Sequence, residues 1–191
     1  MIAIDARARP PLIVTPRLAL RELRVVDAAA VAAYAGDKRV AQFLVAVPSP
    51  YPIALATRWI AGRIAWWTMG RGLTLAIVHR AAPDALIGSA SLRLYPRARR
   101  AELGYWLGVA SWRMGFATEA AGALVDFGFR ELGLERVYAQ VLEGNDASCR
   151  VLDKLGMLPE GVRRRHVRKA GRLRDVTLYG MLYDEWLARQ D

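Results

Sequence analysis

Apolar positions recur along the chain with two different periods, and the switches between them outline the elements. After Thr15-Pro16, Leu18 and Leu20 alternate with Arg17 and Arg21, which predicts a strand over 18–23. Asp27 precedes an alanine-rich run and reads as the N-cap of a helix reaching about Ala35. Pro48-Ser49-Pro50-Tyr51-Pro52 is a loop. Helical spacing resumes over 54–68, with Trp59, Trp66 and Trp67 on one broad apolar face, and stops at Gly70-Arg71-Gly72. Strand-like runs follow at 73–79, 86–94 and 101–109, separated by Ala82-Pro83-Asp84 and by the polar stretch 96–100. That spacing predicts an antiparallel meander.

In the second half, Phe116, Ala120, Ala123, Leu124 and Phe127 repeat at three–four spacing and predict a helix over 117–131, closed by Gly133. A strand at 136–142 and a short helix at 146–155, stopped by Gly156, come next. Strands at 162–168 and 175–182 form a hairpin around Lys169-Ala170-Gly171, and a last helical turn holds Glu185-Trp186. The fold class is α/β (α+β), built on one mixed sheet of seven strands. A length of 191 residues fits one domain, expected over 15–191 behind an N-terminal tail, 1–14, marked by Arg9-Pro10-Pro11.

Composition narrows the function classes. With 54% hydrophobic and 24% charged residues the chain is ordinary globular material. A single cysteine, Cys149, excludes an internal disulfide and fits a reducing compartment. Two histidines, His79 and His166, argue against a histidine metal site, so no metal is expected. Stretches 59–69 and 73–78 are too short or broken to span a bilayer, and 1–11 lacks an apolar signal core, so a soluble cytoplasmic protein is expected. The net charge of +10 comes almost wholly from arginine, which reads partly as genome bias and partly as a surface for acidic partners.

The chemistry lies in Ala101-Glu102-Leu103-Gly104-Tyr105-Trp106-Leu107-Gly108-Val109 and the following Trp112-Arg113-Met114-Gly115-Phe116-Ala117-Thr118-Glu119-Ala120. A strand ends, a turn with small residues follows, and a helix opens. Backbone N–H groups and the positive helix end then face one centre, which suits a pyrophosphate; an ordinary tight turn has the same look. A second segment runs Asn145-Asp146-Ala147-Ser148-Cys149-Arg150-Val151-Leu152-Asp153-Lys154-Leu155-Gly156-Met157.

Together these segments resemble the GCN5-related N-acetyltransferase (GNAT) superfamily, in its RimJ/RimL-type branch. Thr15-Pro16-Arg17-Leu18 near the start and 175–186 near the end match the same branch, so the resemblance covers about 15–186. Arg113 stands where the branch's pattern has a first glycine, and Met157 where it has phenylalanine. The resemblance implies a mostly antiparallel sheet whose two central parallel strands splay around acetyl-CoA. It places Leu107, Gly108 and Val109 against the pantetheine arm, and the N–H groups of Met114, Gly115, Phe116, Ala117 and Thr118 on the pyrophosphate. Asn145 would bond the arm or cap its own helix.

Glu102 is the candidate base, acting through water, or else a solvent-facing or ion-paired glutamate near Arg99 and Arg100. Ser148 is the candidate proton donor to the leaving sulfur, or a polar residue facing the cofactor. Tyr105 and Tyr138 are alternative donors with packing roles. Glu119 is read as complementing the helix dipole and Cys149 as core. The basic run 163–174 is a contact for an acidic substrate or a solvated hairpin. The implied activity is transfer of acetyl to a primary amine, a protein N-terminal α-amine first and a small-molecule amine second. A non-catalytic basic protein associated with ribosome or RNA is the rival. Direct nucleic-acid binding is not expected, and the chain is read as a monomer or homodimer.

Overall fold

The computed structural model describes residues 9–190. Its strands are β1 (Ile13–Val14), β2 (Leu18–Glu22), β3 (Gly72–His79), β4 (Ala82–Tyr95), β5 (Arg100–Leu107), β6 (Arg136–Leu142), β7 (Leu158–Lys169) and β8 (Arg172–Leu182). They form one sheet in the order β1-β2-β3-β4-β5-β6-β8-β7. Every pairing is antiparallel except β5 with β6. The sheet thus has eight strands, not seven. The added one pairs Ile13 with Leu20 and Val14 with Ala19, inside the segment expected as tail. Residues 1–8 of that tail lie outside the described residues.

The helices are α1 (Ala28–Ala35), α2 (Lys38–Ala41), α3 (Ile53–Thr68), α4 (Phe116–Arg130), α5 (Asp146–Leu155) and α6 (Tyr183–Leu187). β3 is buried from Gly72 to Val78 and apolar there except at Thr74, because both its faces are covered. The main core joins Leu75, Ile77, Leu92 and Leu103 of the sheet to Leu124 and Phe129 of α4 and Leu152 of α5. A smaller core joins Val31 of α1 and Ile60 of α3 to Ala76 and Leu86. No helix among the described residues is long and apolar enough to cross a membrane.

Three local expectations change. Asp27 does not cap α1. Its carboxylate is buried and accepts from both Arg21 Nη1 (2.9 Å) and Nη2 (2.8 Å), and from the Arg24 N–H. A buried guanidinium needs a carboxylate more than a helix needs a cap. β4 begins at Ala82, with a register break between Val78 and His79. That irregularity turns the Pro83 carbonyl to Arg21 Nε at 2.8 Å. On α4, Ala121, Val125 and Phe129 are buried while Ala123 and Phe127 are only half-buried. The face is rotated because Trp186 of α6, 57 positions beyond it in sequence, stacks on Phe129 at 5.3 Å between ring centres.

Candidate active site

The parallel pairing of β5 and β6 runs only from Arg100↔Arg136 to Leu103↔Ala139. Beyond it β5 continues beside β4 and β6 beside β8, so the two strands part. The Gly108 N–H donates to Ile87 O at 2.8 Å, which sets the phase of the ladder. Even-numbered residues of β5 bond to β4, and odd-numbered ones aim N–H and C=O at the place β6 has left. Tyr105 and Leu107 therefore present backbone groups to an internal gap. The Leu107 carbonyl is taken by the Trp112 indole N–H at 2.9 Å. Of the expected trio 107–109, Gly108 does not offer its N–H to the gap, because β4 holds it.

The turn at the head of α4 is built by two left-handed residues, Arg113 (φ 62°) and Gly115 (φ 79°). Glu119 N–H is the first to bond back along the helix, to Gly115 O at 3.0 Å. The N–H groups of Phe116, Ala117 and Thr118 stand ahead of it, and Gly115 offers no side-chain cap. Arg17 adds a cation: its Nη1 donates to Met114 O at 2.9 Å, and its guanidinium lies over the Phe116 ring at 4.6 Å. Glu119 holds Arg17 there, accepting from Arg17 Nε (2.6 Å), Arg17 N–H (2.9 Å) and Thr15 Oγ1 (2.6 Å). Burial alone would raise the Glu119 pKa, but these bonds outweigh it and hold the carboxyl below the ordinary glutamate value. The turn gathers unpaired donors and a guanidinium, the set an anion requires. In the sequence Arg17 stands out only within a motif that matches the family, because its partner is 102 positions away.

Glu102 lies on the other face of β5 from Leu103 and Tyr105. Its carboxylate accepts from Gln140 Nε2 at 2.9 Å and from the Tyr138 hydroxyl at 3.3 Å. Arg99 is paired with Glu135, and Arg100 stands over Tyr95 and Tyr138, so neither arginine neutralises Glu102. Burial, with Tyr95 and Glu102 beside it, pushes the Tyr138 hydroxyl above the usual phenol value. Glu102 borders a cavity of about 190 Å³ that Arg63, Trp66, Ser91, Arg93 and Gly104 also line.

The α5 side carries the other hydroxyls. Ser148 Oγ and the Tyr105 hydroxyl lie 2.8 Å apart. Burial is the main cause that pushes the Tyr105 pKa up, so its hydroxyl stays protonated. Asn145 Oδ1 accepts from Ser148 N–H at 3.2 Å, so Asn145 caps α5. Its Nδ2 has no protein partner among the described residues. The structure thus brings Tyr105, Ser148 and Asn145 together on one face of β5 and leaves Glu102 on the other, in the last paired stretch before the strands part. Cys149 is half-buried against the main core.

The family model for the acetyltransferase (GNAT) domain matches residues 17–158. An uncharacterized N-acetyltransferase of Bacillus subtilis, YoaA, is 34% identical over 173 residues, covering 90% of this chain and 97% of its own. Another from Bacillus licheniformis, p20, is 31% identical over 173 residues, 90% of this chain and 96% of its own. Among solved structures, RimL, a ribosomal L7/L12 alpha-N-protein acetyltransferase in complex with coenzyme A, superposes with a TM-score of 0.81. That likeness covers 92% of this chain and 99% of RimL at 20% identity, and so speaks to the fold. The parted parallel strands, the donor-rich turn and these matches lead to one conclusion: the chain belongs to the GNAT acetyltransferase family and is an N-acetyltransferase that uses acetyl-CoA.

Proposed function

We propose that the protein acetylates the α-amine of a protein N-terminus by direct transfer, with Glu102 as the base and Ser148, bonded to Tyr105, as the proton source for the leaving sulfur. The observation that supports this reading is the placement of these groups on opposite faces of β5, Glu102 in the last paired stretch with β6 and Tyr105 just beyond it. Acetyl-CoA supplies the acetyl group as a thioester, whose C–S bond breaks as the C–N bond forms. Glu102 takes the proton that the ammonium must lose, through water. The Tyr105–Ser148 pair returns a proton to the thiolate. The donors at Gly115 to Thr118, with Arg17, hold the pyrophosphate. Backbone groups of Tyr105 and Leu107 and the Val109 N–H hold the pantetheine arm, with Asn145 Nδ2 beside it.

The acceptor's own chemistry supports an α-amine. With a pKa of about 7.7–8.0, roughly a tenth of it is neutral at pH 7, against less than about one in a thousand for a lysine amine. A single carboxylate acting through water suits the weaker base. The test is thiol release from acetyl-CoA against N-terminal peptides, lysine peptides capped at their N-terminus, and small amines. Turnover highest with free N-terminal peptides is expected. Turnover confined to small amines would overturn the protein acceptor and keep the acetyltransferase.

A further inference from the structure

The cavity beside Glu102 holds two guanidiniums that the mechanism above does not use. Arg93 is the direct cross-strand partner of Glu102 between β4 and β5. At such positions Cβ atoms lie about 5 Å apart and opposite charges normally pair. Here they do not. Glu102 turns to Gln140 and Tyr138, while Arg93 turns to Trp66 and Tyr95, at 6.0 Å and 5.5 Å from the ring centres. Arg63, one turn before Trp67 on α3, lies over the Trp66 ring at 3.8 Å and within 5.7 Å of the Trp59 ring. Among the described residues neither Arg63 nor Arg93 has a carboxylate partner, although Glu102 lies directly across from Arg93.

We infer that the acceptor carries a carboxylate beside its amine, and that Arg63 and Arg93 receive this carboxylate while Glu102 faces the amine. The inference rests on the acetyl-transfer reading, since it takes Glu102 as the end where the amine is held. Stacking on the indole fixes Arg63 by its face and leaves its N–H edge free for a planar, two-oxygen acceptor. Two like charges share one aromatic ring. Burial, with the Arg93 charge added to it, lowers the Arg63 pKa, and an anion between the two guanidiniums relieves both penalties. The zwitterion meets opposite charge at each end: carboxylate for ammonium, guanidinium for carboxylate. At about 190 Å³ the cavity is smaller than drug-sized pockets, so it takes a head group rather than a whole substrate. That carboxylate is either the acceptor's own α-carboxylate or an acidic side chain next to a peptide N-terminus.

The experiment compares matched acceptors differing only in charge. One pair is a tripeptide with aspartate or asparagine in second place; the other is a free α-amino acid and its amide. Because an α-carboxylate raises the pKa of its own amine, the change of the acid-to-amide ratio in Arg63→Gln and Arg93→Gln is the readout. In the wild type one pair should favour the acid in kcat/KM by roughly tenfold or more, the size of one charge-assisted bond. In both variants the ratio should fall roughly tenfold, and high salt should lower it in the wild type. Which pair responds identifies the source. Calorimetric titration of the same acceptors into the coenzyme A complex reads the ratio without turnover. If the variants do not fold, the aspartate-to-asparagine and salt comparisons in the wild type still decide. Ratios that ignore salt, or that survive both substitutions, overturn the inference. Glu102→Gln reports separately: a wild-type rate there overturns the base, and the acid-to-amide ratio still decides the carboxylate.

Discussion

Replacing Gly115 tests the phosphate turn, and its two consequences separate cleanly. The first is conformational. Gly115 sits at φ 79°, where a side chain costs about 1–2 kcal/mol. A Cβ there would stand 3.2 Å from Arg17 Nη2, the end of a long side chain that needs to give by only a few tenths of an ångström, so space adds little. The stiffer unfolded chain offsets about 0.4–1 kcal/mol. Gly115→Ala should therefore lose about 1 kcal/mol, a Tm fall of about 2–4 °C for a chain of this size. The second consequence is electrostatic. Gly115→Glu and Gly115→Gln share the backbone cost and the stem and differ by one charge. A carboxylate about 4 Å from a phosphate oxygen costs about 1 kcal/mol in water and about 4 kcal/mol in a protein-like medium. This turn is exposed, so the low end applies, about 1–2 kcal/mol or a 5–30-fold weaker Kd. Pairing of the new carboxylate with Arg17 acts in the same direction, because it neutralises the cation at the turn. Calorimetric titration of acetyl-CoA into both folded variants is the assay. Equal affinities in the glutamate and glutamine variants would show that the anion does not sit here.

Three further outcomes follow from the same geometry. Glu102→Gln should lower the rate about 100-fold or more near pH 7, and raising the pH to about 9 should recover roughly a factor of ten as the α-amine becomes neutral. A flat ratio to wild type across that range removes the base. Arg113 is strained at φ 62° and brings a positive charge to the turn, so Arg113→Gly should raise the Tm slightly while weakening acetyl-CoA a few-fold; an unchanged Kd would show that its side chain does not reach a phosphate. Asp27→Ala leaves Arg21 buried beside only carbonyl acceptors and should cost about 3 kcal/mol, a Tm fall of about 6–12 °C. Denaturant unfolding checks it, and a loss below about 1 kcal/mol would mean that water or the carbonyls satisfy the guanidinium.

What local chemistry dictates was legible in the chain. The helical spacing from Phe116, the glycine before it and the Asn145 cap each depend on residues within a turn of one another. Asp27 misled because its local role as a cap lost to Arg21, on a strand six residues earlier. The phase of β5 was not legible, since it depends on which side of β4 holds Gly108. The Tyr105–Ser148 bond joins residues 43 apart, and Arg17 meets Glu119 across the whole first half of the chain. The pairing of Arg63 with Arg93 around Trp66 needs α3 laid across β4, and nothing in either segment alone announces it.

The parting of β5 and β6 also bears on how the protein behaves before it meets a ligand. Sheets ordinarily keep raw edges at their rims, where charge or a bulge protects them. This one has an opening in its middle, lined by odd-numbered amides of β5 and flanked by two antiparallel halves. Four residue pairs, the packing of α4 and α5, and side-chain bonds such as Glu102–Gln140 and Tyr105–Ser148 suture those halves together. The amides of Tyr105 and Leu107 should therefore exchange with solvent deuterium far faster than their even-numbered neighbours. A slender, amide-bearing guest lying in the opening would act as a surrogate strand. It would slow that exchange on both banks at once and turn two half-sheets into one cooperative unit.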